Sequence, residues 1–181
     1  MSSLARVIVL AEDERHQRFI RRYLHRLGYE SHDIRAVTAP SGRGSAEQWV
    51  RLQYSAEVRE YRRRSARKDI RLIVVIDADI HNVDRRIDQL RVSLEQAGLP
   101  ARDAAEGIVH LIPRRNVETW ILCLSGRQVD EVTDYKLEED VDKLIKAAAL
   151  TFFEWSRLNF VPPPHCVPSL LTAIPEVRCL G

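Results

Sequence analysis

Two stretches of the chain are apolar without alternation: Val7-Ile8-Val9-Leu10 and Leu72-Ile73-Val74-Val75-Ile76. Such runs predict strands buried on both faces, as in a parallel sheet covered by helices. The segments between and after them repeat at helical spacing. Phe19, Ile20, Tyr23, Leu24 and Leu27 form one stripe, closed by Gly28. Val50, Tyr54, Val58 and Tyr61 form a second, which Ser45 and Gln48 can open as a capping box. Ile87, Leu90, Leu94 and Ala97 form a third, ended by Gly98 and Pro100, and a fourth helix is expected from about Asn116, carrying Trp120, Ile121 and Leu124. Weaker strands fit at about residues 34–38 and 107–112.

The alternation β-α-β-α-β-α-β-α predicts a three-layer, Rossmann-like α/β domain over residues 1–126, with a mostly parallel four-stranded sheet. Residues 127–181 are expected to form a helical and extended appendage packed on it. Residues 127–142 are polar and acidic, 144–150 look helical, and Phe152, Phe153 and Trp155 need somewhere to pack. The proline-rich stretch from Val161 to Pro168 predicts extended chain, and residues 169–174 a short closing helix.

Composition adds boundaries. Of 181 residues, 45% are hydrophobic and 30% charged, which excludes a disordered or collagen-like chain. The apolar runs are too short to span a bilayer. The first of them, flanked by Arg6, Glu12 and Asp13, is too short for a signal peptide. Three cysteines without metal-ligand spacing, Cys123, Cys166 and Cys179, read as free thiols in a reducing, cytoplasmic setting. Net charge is +2 but uneven: 22 basic against 16 acidic residues up to position 115, and 6 against 10 beyond it. A polyanion is therefore expected to meet the N-terminal part.

The chemistry gathers at the strand ends. Glu12 follows the first apolar strand, and Asp77 and Asp79 follow the third, where open parallel sheets bind ligands. If the two strands are neighbours, three carboxylates converge. Each ionised pair at about 4 Å then costs roughly 4 kcal/mol at an effective dielectric near 20. Such a cluster holds a proton, pairs with arginine or binds a cation. All-oxygen ligands favour Mg²⁺ or Mn²⁺ over zinc, and Mg²⁺ fills its remaining positions with water and phosphate oxygens. The plainer alternative is helix capping by Asp13 and Asp79, stabilising each helix by about 1 kcal/mol; Asp13 suits that role best. Glu118 falls in the first turn of the fourth helix, a candidate further metal ligand that the helix dipole would favour anyway.

Candidate phosphate contacts are Arg114 and Arg115 at the same helix start, Arg43 in the glycine-rich loop, and Arg59, Arg62, Arg63, Arg64, Arg67 and Lys68 in the densest basic run. The row Arg15, Arg18, Arg22, Arg26 reads equally well as a solvated helix face. His81 is expected in a loop and His110 as a satisfied core group. No Gly-x-Ser-x-Gly elbow, Walker loop or GxGxxG is present.

Glu12 after the first strand, the arginine-rich first helix and the Asp77-Ala78-Asp79 pair together resemble a TOPRIM domain, a fold of topoisomerases, primases and OLD-type nucleases. The segment Pro113-Arg-Arg-Asn-Val-Glu118-Thr-Trp-Ile-Leu and the loop Ser41-Gly-Arg-Gly-Ser45 are similar to parts of small stand-alone TOPRIM-like proteins. The likeness covers about residues 5–124. It implies Mg²⁺- or Mn²⁺-dependent cleavage or transfer of nucleic-acid phosphodiesters, in DNA repair or phage defence, with an ATPase or helicase as possible partner. It would make Glu12 a general acid/base or metal ligand, and Asp77 and Asp79 metal ligands. Two other readings stand beside it. The opening Ala-Glu-Asp-Glu also looks like a response-regulator receiver, with Asp77 as phosphoacceptor, although no lysine lies between Lys68 and Lys136. A non-catalytic TOPRIM-like subunit is the third.

Overall fold

The computed structural model describes residues 6–42 and 44–181; Arg43 lies outside the described residues. Four strands form one parallel sheet: β1 (Val7–Ala11), β2 (Ile34–Thr38), β3 (Arg71–Val75) and β4 (Ile108–Leu111), in the order β2-β1-β3-β4. Six α-helices accompany them: α1 (Glu14–Arg26), α2 (Ala46–Ser65), α3 (Val83–Gln96), α4 (Val117–Leu124), α5 (Val141–Ser156) and α6 (Pro168–Val177). Every residue of β1 and β4 is buried, as unalternated apolar runs demand.

The two faces of the sheet own separate cores. Val7, Val9 and Ala11 point with Ile73 and Val75 towards α1, α4, α5 and α6, while Ile8, Leu10, Leu72 and Val74 point towards α2 and α3. This division follows from chain direction. The step from β1 to β2 runs one way across the sheet, and the steps to β3 and β4 run the other. Right-handed connections then put α1 on one face and α2 and α3 on the opposite one.

Local chemistry sets the helix ends. Asp13 caps α1, its Oδ1 accepting from the backbone N–H groups of Arg15 and His16. Gly28 follows that helix at φ 92°, a left-handed position that costs glycine nothing. Asn116 caps α4 through Thr119 N–H. Asn82, and not Asp79, caps α3, accepting from Arg85 N–H at 2.8 Å. That corrects the capping role weighed for Asp79.

Residues 141–181 complete the α1 face. Phe152 of α5 packs at a tilt against Phe19, Tyr23 and Trp120, with ring centroids 5.6, 4.8 and 6.3 Å away. The Trp120 indole N–H donates to Ser169 Oγ at the start of α6 (2.7 Å), so this large ring is buried without an unmade hydrogen bond. Helix α6 also covers the open edge of β4: Glu176 accepts from the backbone N–H of His110 (3.2 Å) and pairs doubly with Arg102, which donates to Ile108 O. Among the described residues, no helix is long and apolar enough to cross a membrane.

Candidate metal centre

Between β1 and β3 the chain leaves the sheet in opposite directions, and the crevice outside their carboxyl ends is where such folds take ligands. Glu12 is the first residue beyond β1. Asp77 lies two residues beyond β3, on a segment still held to the end of β4 by Ile76 N–H to Leu111 O and to the loop after it by Ala78 N–H to Pro113 O. The two side chains meet. Glu12 Oε1 accepts from the backbone N–H of Asp77 at 2.7 Å. His16, from the first turn of α1, stands beside them with Nε2 2.9 Å from Asp77 Oδ1 and Nδ1 2.8 Å from Asp13 Oδ1. One ligand atom from each of Glu12, His16 and Asp77 lies within 4.8 Å of the others, and all three residues are buried.

The electrostatics follow from that burial. Loss of solvent, reinforced by the Asp77 carboxylate, pushes the Glu12 carboxyl up to about 8. Burial likewise raises Asp77, against the pull of His16. For His16, burial opposes the charged form, but Asp77 and Asp13 outweigh it and hold the imidazole well above its usual 6.5. The histidine is thus an internal cation clamped between two carboxylates. Even so, Asp77 Oδ2 is buried without a hydrogen-bond partner, and so is Glu118 Oε2. An orphaned carboxylate oxygen in a group of acidic and imidazole donors fits a divalent cation. The carboxylate oxygens suit Mg²⁺ or Mn²⁺, while both nitrogens of His16 are already engaged by Asp13 and Asp77.

Around this group stand further charges. Asp79 adopts a left-handed backbone (φ 54°), tolerated by aspartate better than by most residues. Its carboxylate lies 3.6 Å from Arg86 and 3.5 Å from Lys136. Arg86, 1% exposed in its side chain, donates through Nε to Asp77 O (2.9 Å) and pairs with Glu47 at the start of α2 (2.5 Å). It ties the Asp77–Asp79 turn to both helices of the opposite face. Glu118 pairs with Arg15, which also donates to Asp142 at 2.9 Å. Burial lowers the pKa of Lys136, but Asp77, Asp79, Glu12 and Glu118 raise it further, so the net shift is upward.

The expected site residues therefore divide. Glu12 and Asp77 converge with each other; Asp79 and Glu118 border the group, each held by cations. Arg114, exposed, and Arg115, 3.3 Å from Asp134, sit at the same end of the sheet at the start of α4. The basic run does not. Helix α2 runs back along the sheet, so Arg59, Arg62, Arg63, Arg64, Arg67 and Lys68 lie at the amino ends of the strands, about 15 Å away for five-residue strands. Several have structural partners: Arg62 pairs with Glu106 and donates to the Pro100 and Ala101 carbonyls, Arg63 pairs with Glu60, and Arg59 reaches Ala97 O. A cavity of about 340 Å³ there is lined by Lys68, Asp69 and Arg71 among others.

Sequence reasoning missed His16, Arg86 and Lys136. A signal for His16 existed: it extends the buried stripe Phe19–Ile20–Tyr23 one turn upstream, placing a histidine on a core-facing position beside a strand's carboxyl end. For Arg86 and Lys136, 9 and 59 residues from Asp77 in the chain, no local pattern points to the contact. The chain matches no known protein family, no curated protein and no solved structure, so the functional reading rests on the fold and on this group of side chains.

Proposed function

We propose that the chain is a divalent-metal-dependent nuclease or related phosphodiester-transfer enzyme acting on nucleic acid, with Mg²⁺ or Mn²⁺ as cofactor, working alone or beside an ATPase or helicase partner. The observation that carries this reading is the unpartnered Asp77 Oδ2 within the Glu12–His16–Asp77 group at the mouth of the sheet. A bound divalent cation supplies charge neutralisation at the phosphate and acidity to a water. Asp77 and Glu12 would hold it. His16 fixes the orientation of Asp77 through Nε2, and Asp13 fixes that of His16 through Nδ1. Arg86 holds the turn that carries both aspartates. Lys136, half exposed beside Asp79, would meet a phosphate oxygen. Glu12 has one oxygen committed to the Asp77 N–H, so its other oxygen would be the one to face the cation.

Mn²⁺-dependent cleavage of nucleic acid is expected to disappear in Asp77→Asn and in Glu12→Gln, with unchanged circular dichroism. Full activity in both variants refutes the assignment.

One observation favours the receiver-like reading: Lys136 supplies, from outside the strand pattern, a lysine near the acidic pair. Against it stands the enclosure of Asp77, whose side chain is only 1% exposed and is bonded to His16. Failure of acetyl phosphate to label the protein separates the two.

A further inference from the structure

Helices α1 and α5 run side by side in the same direction. Arg15 and Arg18, in the first two turns of α1, pair with Asp142 in the first turn of α5. Tyr23, near the end of α1, meets Phe152 and Ser156 near the end of α5. Side chains four residues apart share a helix face. One turn beyond Arg18 and Asp142, the same two faces therefore carry Arg22 and Lys146, and an opposite-charge contact has given way to a like-charge one. These two residues line a cleft of about 270 Å³ together with His25 and Arg26.

Among the described residues, no carboxylate lines that cleft, and the side chains of Arg22, Arg26 and Lys146 make no hydrogen bond or ion pair. His25 is held by its Nδ1 against the Tyr29 carbonyl at 2.8 Å. Stability alone explains the Arg18–Asp142 contact but not its neighbour. Facing cations repel, whereas an acid at position 146 would repeat the favourable pair. A lysine there is accounted for by a ligand that brings the missing negative charge. Two guanidinium groups and an ammonium suit an anion with several oxygens, and phosphate matches the guanidinium geometry best.

The place of the cleft on α1 connects it with the centre. Arg15, seven residues before Arg22, pairs with Glu118. At 1.5 Å per residue, Arg22 lies about 10 Å further along the helix, and Arg26 about 6 Å beyond that. A duplex strand carries one phosphate per about 3.4 Å of axis, so about three nucleotides span the first of these distances.

We propose, resting on the metal-dependent phosphodiester chemistry above, that the cleft between α1 and α5 holds backbone phosphates of the nucleic acid on which the centre acts, about three nucleotides beyond Arg15. Arg22, Arg26 and Lys146 make the contacts. The test follows binding of a fluorescein-labelled single strand, and of the same strand annealed to its complement, by anisotropy in EDTA at rising salt. In the full chain carrying Arg22→Gln, Arg26→Gln and Lys146→Gln, all at exposed positions, the slope of log K against log salt is expected to fall by about 2 for the single strand and about 2.7 for the duplex, three lost phosphate contacts in each case. Over the decade from about 1 M to about 0.1 M salt, that leaves the single strand bound about a hundredfold more weakly. A variant with the same loss of charge elsewhere, Arg91→Gln, Arg127→Gln and Arg157→Gln, also at exposed positions, is expected to keep the wild-type slope. Equal slopes in wild type and the cleft variant, an equal fall in both variants, or wild type that binds neither probe overturns the proposal. So does poly-glutamate that displaces the probes as well as unlabelled strand of equal charge, which makes an acidic protein the occupant. Hydrolysis of bis(p-nitrophenyl) phosphate by wild type with Mn²⁺ reads the centre by itself. Its presence beside unchanged slopes removes the cleft alone; its absence removes the metal-dependent reading and, with it, the link between cleft and centre.

Discussion

His110 offers the sharpest test of the electrostatics outside the centre. It lies on β4 with Nε2 2.8 Å from the Tyr54 hydroxyl, while its Nδ1 is buried without a partner. Burial, with the Arg102 guanidinium adding to it, pushes its pKa from 6.5 down to about 3. A histidine lowered in this way is neutral in the native state. The unfolded chain binds its proton from about pH 6.5 downwards, so the stabilisation is complete above that pH and is lost as pH falls towards about 3. At about 1.4 kcal/mol per pH unit, the full loss approaches about 5 kcal/mol, and about 2 kcal/mol of it falls between pH 6.5 and about 5. Glu12 works in the opposite sense between its ordinary 4.5 and about 8, a window that overlaps the upper part of this one. Its raised carboxyl binds a proton more tightly in the native state, so stability is lost as pH rises towards about 8. The informative quantity is therefore the difference between wild type and His110→Gln in urea-unfolding free energy, followed across the window. Whatever the substitution costs at pH 7, the variant's disadvantage is expected to shrink by about 2 kcal/mol on going down to about pH 5. Parallel profiles for the two proteins would show that His110 takes up no proton on unfolding, and the reasoning fails.

Other outcomes follow from the packing and from the centre. Phe152→Ala removes the ring that joins α1, α4 and α5, and is expected to cost about 3–5 kcal/mol in denaturant unfolding; a loss under 1 kcal/mol means that the tail does not share the α1 core. Mn²⁺ at about a hundredfold its Kd is expected to stabilise the fold by about 2.7 kcal/mol, seen as a rise in Tm that Asp77→Asn abolishes. An equal rise in that variant places the ion elsewhere.

How much of this was legible depended on the range of the signal. The sheet announced itself, because Val7–Leu10 and Leu72–Ile76 are unbroken apolar runs whose only home is between two helical layers. Glu12 and Asp77 were legible for the same reason: a charged residue at the end of a buried strand stands out against what precedes it. The partners of that pair were not. His16 hid within a helix whose arginines dominate its pattern, and Lys136 arrives from an irregular segment with no periodicity to read. The basic run between Arg59 and Lys68 was conspicuous for its density, yet density along the chain carries no information about which end of the sheet it reaches. That is set by the length of α2, and twenty residues of helix are enough to carry the run from one end of the strands to the other.

The way α5 and α6 finish the α1 face has a consequence for biosynthesis. A nascent chain that has emerged only as far as Leu124 already possesses all four strands, but Phe19, Tyr23 and Trp120 still lack Phe152 and Ser169. Their apolar surfaces stay open to water, or to a chaperone, until the later helices leave the ribosome. Lys136 and Asp142, the charges that border the centre, arrive in that same last stretch, so assembly of the fold and completion of the site coincide in time.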